Sequence, residues 1–288
     1  MRILSKIQLV SQMFTLNCNG KLLSLQSPVI MGILNVTPDS FYTGHLNEGV
    51  EQMKHLATEM LEAGATIIDV GGQSTRPGSE RVDSNQEWER IEPVIAAILS
   101  AHPNTILSID TYHSEVARRA VEAGASIIND ISGGEMDVNM LPTVASLKVP
   151  YICMHMKGTP ENMQSLAVYD DLPAEILDYF ILKIQRCTEA GIYDIILDPG
   201  IGFAKNIQQN FLLLKKMAVL QMLGKPILAG LSRKSTIYKT LGIAAEDALN
   251  GTTVLNSIAL LNGANILRVH DVKEAKETIQ LIEAYRSA

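Results

Sequence analysis

An α/β fold, specifically a closed (β/α)8 TIM barrel preceded by an N-terminal β-hairpin, is what this sequence of 288 residues predicts. Three observations lead there. Eight short apolar runs recur along the chain, stretches of helical spacing separate them, and nearly the same four residues mark the junction before several of the runs.

The elements follow in order. Residues 7–26 alternate loosely around Asn19-Gly20, a dipeptide suited to a tight hairpin turn, and predict a small antiparallel pair ahead of the main fold. The apolar runs occupy 28–34, 65–70, 105–110, 126–129, 149–155, 193–198, 226–230 and 265–269. Most are continuous and rich in Ile, Val or Leu, the pattern of parallel strands buried on both faces. Between the first two runs, Val50, Met53, Leu56, Ala57, Met60 and Leu61 share one helical face, opposite Glu51, Lys54, His55 and Glu59. Glu62-Ala63-Gly64-Ala65, Glu122-Ala123-Gly124-Ala125, Glu189-Ala190-Gly191-Ile192 and Asn262-Gly263-Ala264 each place a glycine where a helix ends and a strand begins. Eight such βα units fit a closed barrel better than an open doubly wound sheet, and no Gly-x-Gly-x-x-Gly follows the first run. One domain over 1–288 is the expectation.

Composition narrows the partners. With 47% hydrophobic and 19% charged residues, the chain can bury a core that needs no staples. A net charge of -7 argues against a general binder of nucleic acid or anionic membrane, which demands clustered Lys and Arg. Three cysteines, Cys18, Cys153 and Cys187, lie far apart without metal-ligand spacing, and suit a reducing compartment. No continuous signal-peptide core forms near the N-terminus and no segment approaches a membrane span, so a cytoplasmic protein is expected.

Polar residues end the apolar runs: Asn35, Asp69, Asp110, Asn129, His155, Asp198 and Arg268, with Lys234 and His270 just beyond the last two runs. In a barrel these ends converge on the C-terminal face, where chemistry is built. Asn35 offers an amide oxygen suited to Mg²⁺, with Asp39 four residues on. Thr75 and Arg76 offer a hydroxyl and a guanidinium fork that match phosphate oxygens. Arg268 and His270 stand before a helical segment and make an anion site with its N-terminus. Asp110, Asn129 and Asp198 can together satisfy a planar heterocycle that presents N–H donors on one edge and a carbonyl on another. Paired-carboxylate acid and base catalysis is the competing reading of the same residues, and capping of the adjacent loops is the third. Asp198 opens Pro199-Gly200-Ile201-Gly202-Phe203, a loop that allows close ligand approach and carries a ring for stacking.

These segments resemble a family. Asn35-Val36-Thr37-Pro38-Asp39-Ser40-Phe41, Ser74-Thr75-Arg76-Pro77-Gly78, Asn129-Asp130-Ile131-Ser132-Gly133, Met154-His155-Met156, Asp198-Pro199-Gly200-Ile201-Gly202-Phe203, Ser232-Arg233-Lys234-Ser235 and Arg268-Val269-His270 are similar, in order, to the motifs of the dihydropteroate synthases of folate biosynthesis. The resemblance implies condensation of 6-hydroxymethyl-7,8-dihydropterin diphosphate with 4-aminobenzoate, assisted by Mg²⁺, in a cytoplasmic homodimer. It implies that Asp110, Asn129, Asp198 and Lys234 bind the pterin, with Phe203 beside its ring. Thr75, Arg76, Arg268 and His270 would hold the diphosphate, Asn35 would contact Mg²⁺, and Phe41, Pro77 and Ser235 would frame the aminobenzoate. Asn35, Arg76, Lys234, Arg268 and His270 are thus the expected catalytic set.

Two departures stand out: Gln73 replaces the more usual Glu, and Tyr42-Thr43-Gly44-His45 replaces a Ser-Asp-Gly-Gly continuation. Related barrels that move a methyl group from methyltetrahydrofolate to a corrinoid protein would need no diphosphate clamp. A non-catalytic pterin-binding paralogue would keep the pocket and lose the loops. Arg76, Arg268 and His270 argue against the first, and Asn35, Thr75 and Arg76 against the second. Asp69 and His155 are left with supporting roles only.

Overall fold

The structure, a computed structural model, describes residues 13–36, 46–73 and 81–288. A hairpin of β1 (Thr15–Cys18) and β2 (Lys21–Ser24) comes first, turning at Asn19 and Gly20, both at positive φ. Eight parallel strands follow: β3 (Val29–Asn35), β4 (Ile67–Gly71), β5 (Ile106–Asp110), β6 (Ile127–Asp130), β7 (Tyr151–Met154), β8 (Ile195–Asp198), β9 (Leu228–Gly230) and β10 (Ile266–Val269). Each pairs with its neighbour in chain order, β10 returns to β3, and a parallel bridge from Leu197 to Ile227 joins β8 to β9. The barrel is closed, as the eight-unit pattern predicts.

Helices wrap its outside: α1 (Leu46–Ala63), α2 (Ser84–Ala101), α3 (Ser114–Glu122), α4 (Met140–Leu147), α5 (Leu172–Ala190), α6 (Ile207–Lys216), α7 (Ser235–Leu241), α8 (Leu249–Leu261) and α9 (Val272–Ser287). The apolar face read for α1 is the one that packs inward, with Met53 and Ala57 fully buried. The junction glycines Gly64, Gly124, Gly191 and Gly263 all have φ near +100°, so one residue type ends four helices and turns the chain into the next strand. The simple βα period breaks between β9 and β10, where two helices stand, the first ending at Gly242.

The strands alternate between two environments. Ile68, Val70, Leu107, Ile109, Ile128, Tyr151, Cys153, Leu197, Leu267 and Val269 face the helices. Met31, Ile67, Ile127, Ile152, Ile196, Leu228 and Ile266 point into the barrel and form a lower apolar layer. The hairpin packs Leu16, Cys18, Leu23 and Leu25 onto that layer and plugs the N-terminal end. Lys21 donates to the carbonyls of Pro103 and Thr105, Asn19 to that of Ala125, and Asp194 accepts from the Asn17 N–H. With one end sealed, the barrel opens only where its strands end. Above the apolar layer, on the same inward parity, come Asp69, Asn129, Asp198 and Arg268 two residues on, and Asp110 four residues past Ile106.

Candidate functional site

Alternation along the strands is what gathers the site. Asp110 sits opposite Gly71 on one side and Asn129 on the other, and Arg268 sits opposite Gly230. A glycine on one side of each leaves room for the larger side chain. Asp110, Asn129, Asp198, Lys234 and Arg268 line one pocket with Ile131, Met154, Phe203 and Gly230. Polar groups thus share a cavity with apolar walls, as a flat heterocycle requires. Ile131 and Met154 escape a reading that looks only for polar strand ends, although Met154 carries the inward parity of Ile152.

A buried cluster fixes the floor. Arg268 Nε donates to Asp69 Oδ2 at 2.6 Å and Nη2 to Asp110 Oδ2 at 2.6 Å, while Asn129 Nδ2 donates to Asp69 Oδ2 at 3.1 Å. Asp69, read only as supporting, is the fully buried anchor that orients both Arg268 and Asn129. Burial works against the guanidinium charge, but Asp69 and Asp110 overcome it and hold the Arg268 pKa above its ordinary value. Burial, opposed by Arg268, pushes the Asp110 carboxyl up to about 7. Burial also raises Asp198, against the pull of Lys234 and the Gly200 N–H, which Asp198 Oδ1 accepts at 2.8 Å.

Arg268 thus has Nε and Nη2 committed to the Asp69 and Asp110 carboxylates. Its anticipated place among diphosphate ligands rests on Nη1.

The loops after β9 and β10 are tied together. Ser232 Oγ lies 2.9 Å from His270 Nδ1 and accepts the His270 N–H, and Arg233 reaches Asp271 through Nε at 3.1 Å and through Nη2. Arg233, which sequence reasoning passed over, adopts a left-handed φ of 54° that turns the chain so that Lys234 points at the pocket while Ser235 begins α7. Lys234 Nζ donates to the Ile201 carbonyl and lies 4.9 Å from the Phe203 ring centre. Burial lowers the Lys234 ammonium to about 8, although Asp198 opposes it.

Other expected residues fall elsewhere. Asn35 ends β3 at the mouth with its side chain exposed. His155 lies off the pocket: one residue past Met154 its parity is outward, and it is buried between Tyr169 and Tyr179. Phe41, Thr75, Arg76 and Pro77 lie outside the described residues, as do Asp39, Tyr42 and His45.

Gln73 is described and buried, and its Nε2 donates to Glu87 Oε2 at 3.2 Å, which also accepts Thr111 Oγ1 at 3.1 Å. An amide at 73 supplies a donor where a Glu would set a second carboxyl against Glu87, itself pushed up by burial to about 8.

Donors for a metal are sparse. Among the described residues no three His, Cys, Asp or Glu side chains gather as ligands. An amide oxygen at Asn35 suits the Mg²⁺ mode in which substrate phosphates and water complete the shell.

Comparison with known proteins now bears on these geometries. The family model described as pterin binding enzyme matches residues 31–270. Dihydropteroate synthase of Escherichia coli (strain K12) is 44% identical over 272 residues, spanning 93% of this chain and 95% of that protein. The solved dihydropteroate synthase of Yersinia pestis with a sulfonamide drug complex has a TM-score of 0.89 at 42% identity, covering 96% of this chain and 100% of that one. That of Xanthomonas albilineans in complex with 7,8-dihydropteroate has a TM-score of 0.85 at 35% identity, covering 96% and 100%.

Proposed function

The chain belongs to the dihydropteroate synthases of the pterin-binding enzyme family, and from that premise we propose that its barrel mouth joins 6-hydroxymethyl-7,8-dihydropterin diphosphate to 4-aminobenzoate. The products are 7,8-dihydropteroate and diphosphate, and the chain acts as a transferase of folate biosynthesis. One observation carries the assignment of the site: Asp110, Asn129, Asp198, Lys234 and Arg268 line a single pocket between Met154, Ile131 and Phe203. Carboxylates and an amide oxygen accept the N–H groups of the pterin, Lys234 donates to its acceptors, and the apolar walls sandwich the ring.

Charge divides the reaction between floor and rim. The exocyclic methylene of the pterin is conjugated with an electron-rich ring, so its C–O bond breaks with the electron pair leaving on the diphosphate oxygen. Asp198, buried beside the ring, stabilises the cation that forms, while Asp110 is largely balanced by Arg268. His270, Arg268 through Nη1, Thr75 and Arg76 neutralise the departing diphosphate. The amine lone pair of 4-aminobenzoate then forms the C–N bond, and the amine proton leaves to water. Phe41, Pro77 and Ser235 frame that second substrate, in the pocket where a sulfonamide would compete. Asn35 would hold a Mg²⁺ ion, which when bound would supply Lewis-acid neutralisation of the diphosphate. No protein nucleophile takes part.

The test is direct: the full chain is mixed with the pterin diphosphate, 4-aminobenzoate and Mg²⁺, and diphosphate and dihydropteroate are followed together. Equal amounts of both are expected, and no product at saturating substrate would overturn the reading. The same assay across pH carries a second prediction. Asp110 is needed as the carboxylate, so kcat/KM for the pterin diphosphate is gained as pH rises through about 7. Lys234 is needed as the ammonium, so it is lost as pH rises through about 8. A flat profile across both values would contradict the two assignments.

A homodimer is part of the same reading, and the apolar side chains that α8 leaves exposed, Val254, Ile258 and Leu261, support it. No helix among the described residues is long and apolar enough to cross a membrane, in keeping with a cytoplasmic enzyme.

A further inference from the structure

Lys205 ends the glycine-rich loop that follows β8, and its side chain is almost wholly buried. Its Nζ lies 3.0 Å from the carbonyls of Gly200 and Phe203 and 3.0 Å from His155 Nδ1. An ammonium has three protons, and these three near acceptors meet them, with the His155 carbonyl farther off at 3.5 Å. His155 must then be neutral, with Nδ1 as acceptor and the proton on Nε2. Burial, followed by the charges of Lys205 and Lys157, lowers its pKa to about 2.

The rest of the loop is held from the same side. Asn210 Oδ1 accepts the Gly202 N–H at 2.7 Å, and Tyr169 donates to the Ala204 carbonyl at 2.9 Å. Gly200, at φ +68°, lies so close that a Cβ would fall 2.0 Å from the His155 carbonyl oxygen. From Gly200 to Lys205 the backbone is therefore tied down behind. Toward the pocket it presents the Gly200 N–H to Asp198, the Ile201 carbonyl to Lys234, and the Phe203 ring.

We propose that Lys205 is a positioning residue for the pterin: by clamping Gly200 and Phe203 to His155, it sets the loop that holds Asp198, Lys234 and Phe203 in their binding geometry. This rests on the reading that the pocket takes a pterin. Titration follows from the same contacts. Burial lowers the Lys205 ammonium to about 7; Asp198 supports its charge, and Lys234 and Lys157 oppose it. Lys157 is paired with Glu175 and lies over Tyr169, and the His155 ring is neutral, so no other charge faces Lys205 from these elements. The full clamp needs the ammonium, and one donor is lost as pH rises through its pKa.

Calorimetric titration of the full chain with 6-hydroxymethyl-7,8-dihydropterin, for the wild type and Lys205→Met, tests this. Methionine keeps the length and removes the donors, so Kd is expected to rise about tenfold or more on the acid side of neutrality. The ratio of the two Kd values removes the pH dependence that both proteins share, Asp110 included; Asp198 and Lys234, which feel the Lys205 charge, titrate somewhat differently in the variant. That ratio is expected to shrink as pH rises through about 7. A ratio near one overturns the proposal, and so does a large ratio constant with pH, which marks packing alone. Failure of the wild type to bind this pterin would instead overturn the functional reading beneath it. Should Lys205→Met not fold, nitrogen NMR of wild-type His155 decides: the neutral Nε2–H tautomer supports the clamp, and an imidazolium or an Nδ1–H tautomer at neutral pH refutes it.

Discussion

Arg268→Met is expected to abolish measurable turnover and to lower folding stability by about 3 to 5 kcal/mol, the usual consequence of removing one partner from a buried charge cluster. The reason lies in two short bonds, to Asp69 and Asp110, both at 2.6 Å. Asp69 is fully buried, and apart from Arg268 its ligand is the neutral amide of Asn129. Without the guanidinium, two carboxyls stand close together in an apolar barrel, and at least one must take up a proton. A protonated Asp110 can no longer act as a pure acceptor, so the pterin pocket fails along with the fold's electrostatic balance. Since folded-state protonation relieves the clash, the deficit of the variant should narrow as pH falls. Arg268→Lys is not expected to rescue it, because one ammonium cannot bridge both carboxylates as the planar fork does. Urea unfolding at several pH values, together with kcat/KM, checks this; a variant as stable and active as the wild type would exclude Arg268 from any central role.

Asp198→Ala is expected to weaken pterin binding by about 1 to 3 kcal/mol, roughly 5 to 150-fold, and to depress turnover further. Binding suffers twice. The carboxylate is an acceptor in the pocket wall, and through Oδ1 it also fixes the Gly200 N–H at the base of the loop that carries Phe203. It is also the chief support of the Lys234 charge, so its loss lets burial depress that ammonium further below about 8. Turnover suffers more than binding because the cationic methylene loses the negative charge beside it. Comparing Kd for the bare pterin with kcat at saturation separates the two effects. A raised Kd with kcat unchanged would mean that Asp198 only binds the pterin and does not stabilise the cation.

Much of this was legible in the sequence because of how parallel barrels bury their strands. Runs buried on both faces are continuous in apolar residues, and all eight became strands in order. Asn19-Gly20 marked the hairpin turn because few other dipeptides accept two positive φ angles. Polar residues at run ends marked the mouth, since the lower barrel is packed with Met31, Ile67, Ile127 and their layer.

What escaped was contact between distant positions. The pairing of Arg268 with Asp69 joins residues 199 apart in the chain, and nothing local signals it. Arg268 read as a diphosphate ligand, with no sign in the sequence that Nε and Nη2 are committed to Asp69 and Asp110. For His155, expected only to support the site, a local signal was present. Counting two residues at a time from Ile152 puts Met154 inside and His155 outside, and the same count separates Asn129 from Asp130. Lys205 was passed over because a lysine after a glycine loop is usually solvated; only the three-dimensional loop shows three acceptors closing on it. The pair of helices before β10 likewise went unread, although Gly242 and the charged Glu246-Asp247 lie between them.

The central claim is that the mouth is divided, with a floor that reads the pterin and a rim that manages the diphosphate. The affinity of the bare 6-hydroxymethyl-7,8-dihydropterin and of its diphosphate, measured calorimetrically for the wild type, Asp198→Ala and His270→Ala, tests it most directly. The division predicts that Asp198→Ala loses affinity for both ligands, whereas His270→Ala keeps the bare pterin and loses only the increment that the diphosphate adds. Wild-type affinity of Asp198→Ala for the bare pterin, or loss of that pterin in His270→Ala, would contradict it.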